Sequence, residues 1–194
     1  TGVTPKEFKR LLGAFERAYT RRYPATQTRA GTARQRRAGG GRKSALDGSD
    51  QKLLFALVYL KTYPLQAMRG AVCGLSQSRA NDWIHRLLPL VQQTLKDLGE
   101  RPERDPRQFA RRVRQSGEPR DFIIDGTERR RQRPKNKATR DEYDSVHQKT
   151  HTDKNLLISN VKTKRIGFLS QTYAGRVHDK KMADSEHIAY PRHS

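Results

Sequence analysis

Phe122-Ile123-Ile124-Asp125-Gly126-Thr127 is where the apolar period of this chain changes from helical to extended. Three apolar residues in a row, two of them β-branched, predict a short strand ending at Asp125-Gly126-Thr127. An ionised carboxylate avoids an interior unless it is paired or bound to metal, so Asp125 at the end of such a strand suits a metal ligand. Asp-Gly is equally a common turn pair, and on these residues alone the two readings weigh the same. Downstream, residues 155–161 read as a second strand and 165–173 as a third, with Lys162-Thr163-Lys164 as the hairpin turn between them. Asp179 follows a strand and a Gly-containing bend. It suits a helix cap before Lys180-Lys181-Met182, and a residue in that place can also be a ligand.

Upstream of residue 122 the period is helical. Thr4, Pro5 and Glu7 form a capping-box start. Phe8, Leu11, Leu12, Phe15, Ala18 and Tyr19 then share one face until Pro24. A second helix over 50–63 is apolar nearly all round, which predicts the buried centre of a bundle. A short helix over 65–73, a Gly74-Leu75 turn and a Ser76 cap lead into a long helix expected to kink at Pro89 and close at Gly99. Two helices joined by a short Gly-containing turn are the helix-turn-helix arrangement, or else an ordinary helical hairpin. In the first case Gln77, Ser78, Arg79 and Asn81 are the early side chains able to reach base edges in a major groove.

Charge narrows the partner. Lys plus Arg number 41 against 20 for Asp plus Glu, a formal charge of +21 in 194 residues. Such a surplus favours a polyanion, and DNA, RNA and an anionic membrane surface all qualify. The longest apolar run, 53–60, is too short for a membrane span. One cysteine, Cys73, excludes an internal disulfide and points to a reducing compartment. Residues 1–46 hold 12 basic and 2 acidic side chains, 47–99 hold 6 and 4, and 129–140 hold 7 basic and no acidic ones. The stretch 25–43 reads as a loop or a solvated tail, and 100–120 as a linker with room for a short helix near Phe109. The run Arg129, Arg130, Arg131, Arg133, Lys135, Lys137 either grips a DNA backbone or is a solvated connection, and its place beside Asp125 favours the first. No Cys/His spacing supports zinc, and His151 and His178 read as structural or DNA-facing.

The spaced set Phe122 to Arg129, Arg133-Pro134, Tyr143, Lys149-Thr150-His151-Thr152, Lys154-Asn155, Gly175 and His178-Asp179-Lys180-Lys181 resembles the DDE superfamily endonuclease domain of bacterial insertion-sequence transposases. Leu57 to Pro64 with Gly74 to Ser78 is similar to the helix-turn-helix that precedes it in those proteins. The resemblance implies an α+β chain: an all-α helix-turn-helix bundle followed by an incomplete RNase H-like α/β domain. Its divisions are a basic helix and linker over 1–46, the helix-turn-helix over 47–99, a linker over 100–120 and the start of the nuclease over 121–194. It implies that Asp125 and Asp179 are the first two of three acidic residues holding two Mg2+ or Mn2+ ions, which drive in-line displacement at phosphorus. The third carboxylate is expected well downstream of Asp179, so the chain is expected to be C-terminally truncated. Lys149, Lys180 and Lys181 join the basic run as expected DNA contacts. The implied partner is double-stranded DNA, both transposon ends and target, in the bacterial cytoplasm at the nucleoid, with a homodimer left open and no membrane. A non-catalytic DNA-binding regulator derived from a transposase is the alternative reading. A basic RNA- or ribosome-associated protein is a third, and it gives no reason for paired Asp residues at strand ends.

Overall fold

Thr4 opens the first helix as its sequence requires. Its hydroxyl accepts from the Glu7 amide at 3.3 Å, and the Glu7 carboxylate accepts from the Thr4 amide at 2.7 Å. The computed structural model describes residues 2–28, 30–36, 44–117, 121–145 and 148–188. The chain divides into two compact units, Thr1–Arg101 and Pro102–Ser194. The expectations placed on residues 37–43 and 191–194 lie outside the described residues.

The first unit contains α1 (Pro5–Arg22), α2 (Ser49–Thr62), α3 (Gln66–Val72) and α4 (Gln77–Asp97). Phe15, Leu53, Phe55 and Leu87 are fully buried between these helices, each contributing roughly 1.5–3 kcal/mol of apolar transfer energy. α2 is not buried all round as its composition predicts: Leu54 and Leu60 stay 44% and 49% exposed. One face of a helix suffices to contact α1 and α4, and the remaining apolar residues are left at the surface. α4 continues through Pro89, which sits on its solvent side, where a carbonyl freed by the missing N–H can be hydrated. Beyond Leu98, Gly99 takes φ +68°. Its amide donates to the Lys96 carbonyl at 3.0 Å and that of Glu100 to the Leu95 carbonyl at 2.9 Å, a Schellman closure.

The α3–α4 turn depends on Gly70. A Cβ there would lie 2.6 Å from the Leu75 carbonyl oxygen, because the chain folds back onto α3 and the Leu75 amide donates to the Gly70 carbonyl at 2.8 Å. Arg69, buried beside it, donates to the Phe55 carbonyl at 3.1 Å and lays its guanidinium 4.5 Å from the Phe55 ring centroid, tying α3 to α2.

Among the described residues, the second unit is a five-stranded antiparallel sheet with three helices. Its strands are β1 (Phe122–Arg130), β2 (Asp144–Ser145), β3 (Thr150–Asn160), β4 (Ile166–Leu169) and β5 (Tyr173–Ala174). β3 is central and pairs with each of the others. The helices are α5 (Pro106–Ser116), α6 (Lys137–Tyr143) and α7 (Asp179–Ser185). The chain is therefore α+β as expected. β1 does not end at Asp125. β3 offers partners out to Arg130↔Thr152, so Asp125 lies mid-strand opposite Leu157 and Asp125-Gly126 is not a turn. The expected third strand divides into β4 and β5, while the 162–164 turn forms as read, with the Asn160 side chain accepting from the Lys162 and Thr163 amides.

The stretch read as a linker with room for a short helix near Phe109 carries α5, whose Phe109 packs edge-on to Phe122 at 5.6 Å and against Phe168 at 6.0 Å. Just before α5, the Glu103 amide and carbonyl bond to Gly167 and Leu169 of β4, so this segment belongs to the sheet unit. α7 buries Met182 and Ala183 against Leu156, with Ile124 and Tyr173 alongside.

Gly70→Ala is expected to destabilise the first unit by about 1–3 kcal/mol, because the neighbour is backbone and cannot swing away. Gly74→Ala, at φ +64° with open space around it, is expected to cost only about 1 kcal/mol. Denaturant unfolding followed by helical circular dichroism checks the order, and equal losses would remove the close-packing role of Gly70.

Candidate functional site

The two-residue period of a strand decides which side chains of β1 and β3 meet. Gly126 and Glu128 share a face with Thr152, Lys154 and Leu156, whereas Asp125, Thr127 and Arg129 share the other with Asp153, Asn155 and Leu157. Hydrogen bonds agree with this division. Arg129 Nη2 donates to Asn155 Oδ1 at 2.6 Å on one face, and the hydroxyls of Ser145 and Thr152 donate to Glu128 Oε2 at 2.7 and 3.0 Å on the other.

Lys154 is the centre of the second face. It is buried, and its ammonium lies 3.0 Å from Glu128 Oε1 and 3.3 Å from Asp179 Oδ1, with the Val177 carbonyl also at 3.3 Å. A buried ammonium is tolerable because every N–H finds an oxygen and two of those oxygens are anionic. Burial works against the charged form of Lys154, but Glu128 and Asp179 outweigh it and hold the ammonium above its ordinary range. Burial likewise works against the Glu128 carboxylate, and hydrogen bonds from Ser145, Lys154 and Thr152 outweigh it and hold Glu128 low. Neither Glu128 nor Lys154 was picked out as a site residue from the sequence. Glu128 was hidden by ending the strand at Asp125; its place two residues after Gly126 on a continuing strand is the signal that could have found it.

Asp179 is the first residue of α7, and its carboxylate sits over Gly126: a Cβ on that glycine would fall 2.7 Å from Asp179 Oδ2. The helix cap is His178, not Asp179, its Nδ1 accepting from the Lys180 amide at 3.4 Å; the helix starts one residue earlier than expected. Asp125 and Asp179 line one cleft of about 720 Å³ with Glu128, Lys154 and His178. They leave the sheet on opposite faces, however, because Asp179 covers the Gly126 side.

None of the expected DNA contacts lines this cleft. Lys180 and Lys181 are exposed on α7, and Lys149 is exposed before β3. Arg129 is tied to Asn155, and Arg131 to Asp153 at 3.0 Å with its guanidinium 3.8 Å from the Tyr143 ring centroid. Arg130, Arg133, Lys135 and Lys137 are exposed. His151 lies on β3 opposite Asp144. In the first unit, Ser76 caps α4 by accepting from the Arg79 amide, and Gln77, Ser78 and Arg79 are exposed in its first turn. Asn81 is only half-buried, and its Oδ1 accepts from Gln66 Nε2 at 3.0 Å, tying α4 to the start of α3.

Residues 124–191 match the family described as DDE superfamily endonuclease, and residues 44–97 match the helix-turn-helix of DDE superfamily endonuclease. Both matches are to parts of DDE superfamily endonucleases. No curated protein and no solved structure matches it. The helix-turn-helix match covers α2 to α4, and the endonuclease match covers most of the sheet unit and α7. No helix among the described residues is long and apolar enough to cross a membrane.

Endonucleases of this superfamily generally use divalent metal. The hard carboxylate oxygens of Asp125 and Asp179 are suitable donors in kind. As placed, they do not fit two ions between them. Asp125 faces away from Asp179, the carboxylate that shares a face with Asp179 is Glu128, and a lysine ammonium stands between those two. Among the described residues no three His, Cys, Asp or Glu side chains stand together as a metal-binding group.

The Glu128–Lys154 pair sets a pH signature. The folded-state value of Glu128 is depressed, so its contribution is present above the ordinary carboxylate range and is lost as pH falls through the depressed value. That of Lys154 is raised, so its contribution is present below the ordinary lysine value and is lost as pH rises through the raised one. Glu128→Gln is expected to cost the second unit about 2 kcal/mol at neutral pH, since it takes one of two anionic partners from a buried ammonium, and to flatten the acid limb of stability. Urea unfolding between about pH 3 and 7 checks both; a variant with the parent's acid limb would show that Glu128 is not the group being titrated.

Proposed function

We propose that this chain binds the ends of a mobile DNA element through the first turn of α4 and belongs, through its sheet unit, to the machinery that cuts and joins that element by divalent-metal-dependent phosphoryl transfer. The observation that carries the reading is the presentation of Gln77, Ser78 and Arg79. They stand exposed at the start of a long amphipathic helix, after a turn held closed by Gly70, in the segment that matches the helix-turn-helix family. These side chains can donate to base edges, while the surplus of basic residues supplies the sequence-independent attraction to phosphates. Arg130, Arg133, Lys135, Lys137, Lys149, Lys180 and Lys181, all exposed, are the backbone contacts of the second unit in this reading. Mg2+ or Mn2+ is the ion in this reading, with Asp125 and Asp179 as the acidic residues that the family resemblance assigns to it although they do not face each other here, and the element ends and their target are the DNA.

A second reading, a DNA-binding regulator derived from a transposase, is favoured by one specific observation. Asp125 and Asp179 lie on opposite faces of the sheet, with Lys154 already neutralising Asp179. DNA binding is common to both readings.

Arg79→Ala is expected to weaken binding to element ends by about 1–3 kcal/mol and random DNA much less, measured by gel shift over a range of salt. Equal weakening on both, with a shallower salt dependence, would make Arg79 a phosphate contact only. Asp125→Ala is expected to leave end binding at the parent's level and to remove any metal-dependent nicking of end DNA; loss of binding as large as that of Arg79→Ala would end the division of labour between the two units.

A further inference from the structure

We infer that the open cleft between the end of α1 and the middle of α4 is a phosphate site, in which Arg22 and Arg86 hold a backbone phosphate of the DNA that the first turn of α4 reads. The inference rests on the proposed reading of this unit as the part that binds DNA.

The cleft has a volume of about 740 Å³, and its charged lining is Arg21, Arg22, His85 and Arg86 with Asp82 and Asp97. Arg21 is already spent: it donates to Asp97 Oδ2 at 2.7 Å, and Gln93 holds the other oxygen of that carboxylate at 2.6 Å. Arg22 and Arg86 differ. Among the described residues neither has an ion pair or a side-chain hydrogen bond. Each lies instead over an aromatic ring, Arg22 5.4 Å from the Tyr23 centroid and Arg86 5.3 Å from that of Trp83. Asp82, one turn before Arg86 on α4, does not pair with it. The Arg86 Nε is buried and reaches no acceptor within the protein. A buried N–H without an acceptor is costly, and a phosphate supplies acceptors in the parallel geometry that a guanidinium fork fits. The two rings hold the guanidiniums in place beforehand, so little side-chain freedom is lost when the anion arrives. With Arg21 and Asp97 cancelling each other, Arg22 and Arg86 outnumber the remaining carboxylate of Asp82, and the cleft suits an anion.

Its position on α4 points to the source of that anion. Asp82 and Arg86 also line the adjoining cleft, of about 610 Å³, together with Arg79, Trp83 and the Gly74-Leu75 turn. Arg79 and Arg86 are two turns apart on one face of α4, roughly 10 Å along the helix. A major groove is about 12 Å wide. A helix whose first turn touches bases therefore brings a side chain two turns on to the phosphate edge of the groove.

The test is binding of the intact chain to end DNA and to random duplex over a range of salt, read by fluorescence anisotropy of labelled DNA. Arg86→Gln and Arg22→Gln are each expected to weaken both DNAs by a similar factor, roughly tenfold, and to make the slope of log affinity against log salt shallower by about 1. Arg86→Lys is expected to keep the parent's slope and still bind several-fold more weakly, because an ammonium keeps the charge and loses the fork. Lys9→Gln, an exposed cation of α1 that lines neither cleft, is expected to leave the slope at the parent's value. A slope flattened as much by Lys9→Gln as by Arg86→Gln would mean total charge rather than a site, and overturns the inference. Parental slopes in both glutamine variants overturn it too. If Arg86→Gln does not fold, Arg22→Gln, on an exposed side chain, decides alone. A second arm titrates inorganic phosphate and follows the emission of Trp83, which lies under Arg86. A response lost in Arg86→Gln, with every DNA slope unchanged, would make the cleft a site for free phosphate and end the DNA assignment. Arg79→Ala separates this inference from the reading beneath it. If Arg79→Ala binds ends as the parent does while Arg86→Gln flattens the slope, base reading by α4 falls and the phosphate site stands; if the parent binds no DNA, both fall.

Discussion

The second unit depends on one constraint, the alternation of side chains along the β1–β3 pair. Because the pairing runs without a register shift from Phe122↔Asn160 to Arg130↔Thr152, every residue on β1 is committed to one face. That commitment places Glu128 rather than Asp125 beside Lys154, and gives α7 a face with Ile124 and Leu156 on which to bury Met182. It also leaves a side-chain-free position at Gly126 for the Asp179 carboxylate to occupy. A one-residue slip of β1 would turn Asp125 onto the face of Lys154 and Leu156 and turn Ile124 and Glu128 away from it.

Polar burial here is organised rather than incidental. Lys154, Asn155, Thr152 and Ser145 are all buried in the sheet unit. Asn155 spends its side-chain amide on the Ser170 and Gln171 carbonyls and the Thr172 hydroxyl, holding the chain between β4 and β5, while its oxygen receives Arg129. Such networks cost much when half-satisfied and specify geometry well when complete. The first unit uses a different device. Lys52 lies buried near the rings of Tyr19 and Trp83 and bonds to the Asp47 and Gly48 carbonyls, so a cation joins three helices.

Local signals were legible in the sequence because their physics is local. The Thr4 box, the Ser76 cap, the Gly99 closure and the Asn160–Arg165 turn each involve residues within a few positions of one another. The helix-turn-helix and the kinship of the sheet unit were legible from spaced motifs. What escaped was set by distant partners. Phe109 read as part of a linker, because Phe122 and Phe168, the rings that make α5 part of the sheet unit, lie beyond it in the chain. Lys154 read only as a motif residue, because the carboxylates that bury it come from another strand and from a helix that follows. The exposed Leu54 and Leu60 on α2 escaped for a related reason: hydrophobicity tells which residues can be buried, not which will find a neighbour.

The position of Trp83 has an optical consequence. It is the chain's single tryptophan, it lies in the first unit, and its ring has the Arg86 guanidinium 5.3 Å and the Lys52 ammonium 5.9 Å from its centroid. Indole emission therefore reports on the helical unit in which that ring sits. A chain with two cores need not melt in one step. Comparing indole emission with a whole-chain signal such as far-ultraviolet dichroism resolves the two transitions without a label, and tells in which unit a substitution acts.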